Sequence, residues 1–142
     1  MKITQIKNWK KHTILREKLI KDALLLINNL KHKTLFIVDD KKNNKLLGSL
    51  TEGDIRRALI NGFKISDQLL KIFNKSCFFV QKFDQINKKF KIFDKYSVQL
   101  LPLIDNKKKI KKIYFFDKKN ENLITEENPI LIMAGGKGTR LG

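Results

Sequence analysis

The strongest constraint on this chain is that it repeats itself. A shift of 66 residues lays Ile14 on Val80, Ile20 on Ile86, Leu24 on Phe90, Ile27 on Phe93 and Leu30 on Tyr96. The same shift places Ile37-Val38-Asp39-Asp40 on Leu103-Ile104-Asp105-Asn106. After a two-residue deletion the offset becomes 64, and Leu50 falls on Tyr114. Two half-chains with one apolar pattern are expected to fold alike and to share a core. The competing reading is a single α+β domain with a chance pseudo-repeat.

Each copy has the same local grammar. Positions 20, 24, 27 and 30 follow helical spacing, and so do 86, 90, 93 and 96. Thr34 to Val38 is β-branched and aromatic and predicts a strand, matched by Val98 to Ile104. Polar turns follow at 39–44 and 105–108, and second strands are predicted over 45–50 and 110–116. In the first copy a helix then runs from about Glu52 to Asn61 and closes on Gly62. The order is short strand, helix, strand, strand, helix. The second copy is read as lacking its last helix, because residues 118–128 are polar without apolar periodicity and read as a linker.

A copy of about 55 residues cannot cover both faces of its own sheet, whereas two copies packed through their sheets can. The chain has 142 residues and 42% hydrophobic content, enough for such an interior. Its single cysteine, Cys77, excludes an internal disulfide and suits a reducing, cytoplasmic setting. Met1 to Gln5 lacks the apolar stretch of a secretory signal, and no run approaches the roughly 18 apolar residues of a membrane span. The formal net charge of +17 raises a nucleic-acid reading. Arg occurs only at 16, 56, 57 and 140, and Lys is scattered over the whole chain. That distribution reads as compositional bias rather than a phosphate-gripping face, which would favour Arg.

The segment Gly48 to Leu59, GSLTEGDIRRAL, carries most of the chemistry in the first half. Thr51 sits where a strand gives way to a helix, and Asp54 stands at the third helical position, which makes a capping box. Free amides at a helix start also favour an anion such as phosphate. A carboxylate one turn in can accept both hydroxyls of a ribose. Arg56 and Arg57 can meet phosphates, with at least one of them on a solvated face.

The pattern Gly-apolar-Thr-x-x-Asp-apolar after helix, strand, strand resembles the CBS domain, and the two copies together resemble a CBS pair. The resemblance implies an α+β fold of tandem β-α-β-β-α units, with adenosine nucleotides (AMP, ADP or ATP) held between the repeats. It implies that Asp54 holds the ribose hydroxyls, that Thr51 approaches ribose or phosphate, and that Ile14 and Leu35 flank the base, with Arg57 near the phosphates. The second copy departs from the pattern: Lys112 stands for Gly48, Phe115 for Thr51 and Lys118 for Asp54. At most one site with the usual ribose contacts is therefore expected.

Composition breaks sharply near Pro129. Four of the seven glycines lie at 135, 136, 138 and 142, and none lies between Gly62 and Gly135. The stretch PILIMAGGKGTRLG resembles the opening strand and signature loop of sugar-phosphate nucleotidyltransferases. By that resemblance Ala134, Gly135 and Gly136 face base and ribose. Gly138, Thr139 and Arg140 line the triphosphate, with Arg140 stabilising charge at the transferred phosphorus. The expected organisation is a first repeat over 1–64, a second over 65–117, a linker over 118–128 and the start of a transferase over 129–142. Residues 1–142 are expected to hold no cofactor or metal and no transferase activity, Mg2+ belonging to the catalytic part. Two functions then compete: a nucleotide-sensing regulatory module of that transferase, and a ligand-free homodimerisation scaffold. Neither a membrane nor a nucleic acid is expected as a partner.

Overall fold

The computed structural model describes residues 2–117. The predicted linker over 118–128 and the Gly-rich segment from Pro129 to Gly142, with Ala134, Gly135, Gly136, Gly138, Thr139 and Arg140, lie outside the described residues. So does the place where the second repeat would carry its last helix.

Strand β1 (Lys2–Gln5) is followed by a 3-10 turn (Trp9–His12) and β2 (Thr13–Leu15). Helix α1 (Ile20–Asn28), β3 (Thr34–Val38), β4 (Leu46–Thr51) and α2 (Glu52–Ile60) complete the first repeat. The second repeat contributes α3 (Asp84–Lys88), α4 (Phe90–Lys95), β5 (Leu100–Ile104) and β6 (Ile110–Asp117). One sheet has the order β2-β3-β4, the other β1-β6-β5.

The repeat survives down to single hydrogen-bonded pairs. Ile14 pairs in parallel with Ile37, and 66 residues later Val80 pairs in parallel with Leu103. The β3–β4 register shifts between Ile37 and Val38, and the β5–β6 register shifts between Leu103 and Ile104. The change of offset from 66 to 64 falls in the loops that follow β3 and β5. In those loops Asp39 accepts from the Lys45 amide and Asp105 from the Lys109 amide. The two turns also grip each other across the pseudo-dyad. The Leu46 amide donates to the Lys108 carbonyl at 2.8 Å, and the Ile110 amide donates to the Asn44 carbonyl at 3.0 Å. Asn44 and Lys108 both have positive φ, 54° and 67°.

Strand alternation sorts the apolar side chains into three layers. Leu35 and Ile37 point into a core with Ile14, Ile20, Ile27 and Ile55 under α1 and α2. Their neighbours Phe36 and Val38 point the other way, into a layer shared with Leu100, Ile104 and Ile113 of the second sheet. Leu101 then faces Val80, Ile86 and Phe93 beneath α3 and α4. The repeats are packed through their sheets, as expected.

Two features depart from the sequence reading. Residues 86–96 were expected to form one helix, yet the helix breaks at Lys89 (φ −107°, ψ 14°) into α3 and α4. Lys88, Lys89, Lys91 and Lys95 repel one another along one short segment, and Asn, Phe, Ile and Tyr are weaker helix formers than the Ala-Leu run of α1. The strand at Lys2–Gln5 was not foreseen. It pairs antiparallel with β6, so the first residues of the chain complete the second sheet.

Candidate functional site

Between the two repeats lies a cleft of about 460 Å3. One wall comes from the first sheet, with Thr34, Phe36 and Ser49, and ends at the start of α2, with Thr51, Glu52 and Gly53. The facing wall comes from the segment joining the repeats, with Asn74, Cys77 and Phe78, and from Tyr96 to Leu100. Its volume falls in the range of small-molecule sites.

The wall at β4 is built by Gly48. A Cβ there would strike the Asn74 carbonyl and the Phe73 ring, so only glycine lets this segment come close. Ser49 and Asn74 can then exchange both backbone hydrogen bonds, at 3.0 and 2.8 Å. The connecting chain thus docks on the edge of β4, beside the start of α2. Lys112 replaces Gly48 in the second repeat, which removes that opportunity for close approach there.

Thr51 ends β4 and caps α2. Its hydroxyl accepts from the Asp54 amide at 3.1 Å, and its own amide donates to Asp54 Oδ2 at 2.9 Å. The other carboxylate oxygen, Oδ1, takes a hydrogen bond from Arg57 Nη2 at 2.6 Å. The Arg57 side chain is 67% exposed, so this pair contributes little to stability and opens easily. The capping box read from the sequence is therefore present.

The predicted site residues separate in space. Thr51 lines the cleft. Asp54 lies about one turn and Arg57 nearly two turns further into α2, joined to each other. Ile14 and Leu35, expected beside a base, are 2% and 0% exposed in the core under α1 and α2, on the sheet face opposite Phe36. The sequence reading did not assign Phe36, Phe78, Tyr96 or Glu52 to the site. The parity of β3 carried the clue, since Thr34 and Phe36 share the face that Leu35 does not. With every residue from Leu35 to Val38 apolar, alternation alone does not tell which face meets the other repeat.

Aromatic surface dominates the far wall. The Phe78 ring stands edge-on to Phe93, with centroids 5.6 Å apart, and lies 5.4 Å from Tyr96. Cys77 is half-buried, and burial pushes its thiol up to about 11, which favours the neutral thiol at physiological pH. Lys33, at the cleft edge, donates to the Ile27 and Asn28 carbonyls at the end of α1, at 3.0 and 3.4 Å. Nearby, His12 is buried with Nδ1 2.9 Å from the Thr34 carbonyl oxygen, and desolvation lowers its pKa. Among the described residues no cluster of three or more His, Cys, Asp or Glu could hold a metal ion. Nor is any described helix long and apolar enough to cross a membrane.

Residues 8–61 match the family model of the CBS domain. No curated protein sequence matches the chain. Among solved structures, OpuCA of Staphylococcus aureus is similar with 24% identity and a TM-score of 0.60, over 85% of this chain and 94% of that one. A CBS domain protein of Streptococcus pneumoniae TIGR4 is similar with 14% identity and a TM-score of 0.65, over 87% and 83% of the two chains. A GMP reductase of Trypanosoma brucei in complex with guanosine 5'-triphosphate has the same TM-score at 14% identity. There the similarity spans 94% of this chain and only 32% of the reductase. The fold is that of tandem CBS repeats.

Proposed function

We propose that the chain is a regulatory module that binds an adenosine nucleotide in the cleft between its repeats. The observation that carries this reading is the cleft itself: a capped helix start at Thr51–Gly53 faces an aromatic wall at Phe78 and Tyr96. The positive end of α2 suits a phosphate, and an aromatic face suits a planar base. Asp54 reaches the ribose hydroxyls once Arg57 releases Oδ1, and Arg57 is then free to meet phosphate. The resemblance of PILIMAGGKGTRLG extends the proposal: the module adjusts a sugar-phosphate nucleotidyltransferase that continues from Pro129.

Calorimetric titration with AMP, ADP and ATP, with CMP and GMP as controls, tests the ligand. Adenosine-selective binding that falls at least tenfold in Asp54→Asn supports the assignment. Equal weak binding of all five nucleotides would instead reduce the cleft to a general attractor of anions. In the full-length protein, sugar 1-phosphate nucleotidyl transfer that ignores these nucleotides would sink the regulatory part.

A second reading has its own observation. Leu25 and Leu26 on α1 and Leu59 and Ile60 on α2 are exposed, Ile60 by 76%. Apolar side chains on neighbouring helices favour self-association, as in a homodimeric scaffold. A monomer mass that stays constant across a hundredfold range of concentration would remove it.

A further inference from the structure

The pseudo-dyad that relates the repeats gives the cleft a counterpart built from the exchanged halves. Under the offsets of 66 and 64, the cleft residues Phe78, Val98 and Thr51 correspond to His12, His32 and Phe115. His12 and His32 are the only two histidines in the chain. The His32 ring lies on Phe115, with centroids 3.9 Å apart, and Ile6, Trp9 and Phe115 pack against the central layer. Side chains of the protein itself thus occupy the counterpart.

Both histidines also grip Thr34. His12 Nδ1 stands 2.9 Å from the Thr34 carbonyl oxygen, and the Thr34 amide donates to the His32 carbonyl at 2.9 Å. A carbonyl only accepts, so Nδ1 carries the proton and Nε2 is the nitrogen that acid charges. Thr34 lines the cleft as well, so one residue touches both places. His12 is 2% exposed, and the strands packed against its turn, β2 and β3, contain no charged residue. The charges flanking it are cationic: Lys10 and Lys11 in its own turn, Lys33 beside Thr34, and Lys41, whose ammonium donates to the Thr13 carbonyl at 2.7 Å. Burial holds the ring below the ordinary histidine value, the Thr34 bond opposes that, and Lys11 adds to it.

We propose that this counterpart is a proton site whose charge state reaches the cleft wall through Thr34. Neutral His12 holds the start of β3 in place. Once charged, the ring is buried beside cations, leaves for water and frees the Thr34 carbonyl. The unfolded chain takes up this proton near the ordinary value of about 6.5, before the folded chain does. The stability that neutral His12 contributes is therefore complete above that pH and is lost as pH falls through the lower folded value. The device holds whatever the cleft binds.

Imidazole and amide resonances of the wild type are followed by nuclear magnetic resonance from about pH 8 to about pH 5. His12 is expected to titrate below the ordinary histidine value, and the amides of Thr34, Ser49 and Thr51 to shift with the His12 midpoint. His12→Asn keeps a donor at the place of Nδ1 without the titration, so those amide shifts are expected to vanish there and to persist in His32→Gln. Urea midpoints are expected to fall more steeply on acidification in the wild type than in His12→Asn. Cleft amides that follow the His32 midpoint, or that stay still while His12 titrates, would overturn the proposal. So would amide shifts that survive in His12→Asn. If His12→Asn does not fold, the wild-type midpoints and His32→Gln decide.

Discussion

Gly48 and Lys108 show how single residues set what this fold tolerates. At Gly48 the connecting segment comes so close that a methyl group has no space. Gly48→Ala is expected to destabilise by about 1–3 kcal/mol, because either Asn74 or the Phe73 ring must leave its place. Thermal unfolding measures the loss. By contrast, the atoms nearest a Cβ at Gly53 are at 3.4 Å or more, so Gly53→Ala serves as the tolerated control. Lys108 occupies the left-handed region, while Asn44, its equivalent 64 residues earlier, is a residue type that accepts that conformation. Lys108→Asn is expected to stabilise by about 0.5–1 kcal/mol. A lower midpoint in urea unfolding would contradict that account. Asn44 carries a further constraint: its buried Oδ1 has no hydrogen-bond partner among the described residues, although Nδ2 donates to the Lys41 carbonyl.

At the scale of elements, the start of α2 joins stability to the cleft. Thr51 is at once the last residue of β4, the helix cap and part of the cleft wall. Thr51→Ala is expected to cost about 1 kcal/mol through the lost cap, whereas Thr51→Ser keeps the hydroxyl and most of the stability. Comparing denaturation midpoints of the two variants isolates the hydroxyl. The helices of the two repeats differ for a reason visible in their residues. Helix α1 contains Ala23-Leu24-Leu25-Leu26, whereas the equivalent stretch is Lys89-Phe90-Lys91-Ile92 and the helix breaks at its start.

On the scale of the whole molecule, the central layer makes two repeats into one unit. Phe36 is 2% exposed, packs against the second sheet and also lines the cleft. Phe36→Ala is expected to cost about 3–5 kcal/mol, close to the full stability of a small domain. Both repeats should unfold together, with tyrosine fluorescence and far-ultraviolet circular dichroism tracing one transition. Two separated transitions would show that the shared layer does not couple them. The reciprocal hydrogen bonds between the turns, Leu46 to Lys108 and Ile110 to Asn44, hold the far edge of the same layer.

Much of this architecture was legible without coordinates. The offsets of 66 and 64 located matching strands and turns because side-chain periodicity records which positions are buried. The cap at Thr51 and Asp54 was legible for a local reason: its hydrogen bonds span three residues. Most of the lining of the cleft was not legible. Its walls join Phe36 and Thr51 to Asn74, Phe78 and Tyr96, residues far apart in the chain. Which face of an all-apolar strand meets the partner sheet depends on packing, and local pattern is silent on it. Ile14 and Leu35 therefore went to the core and Phe36 to the cleft. The sequence determined the repeated unit and its caps, because those depend on neighbours along the chain. Tertiary structure alone decided the composition of the cleft, because that depends on how two sheets dock.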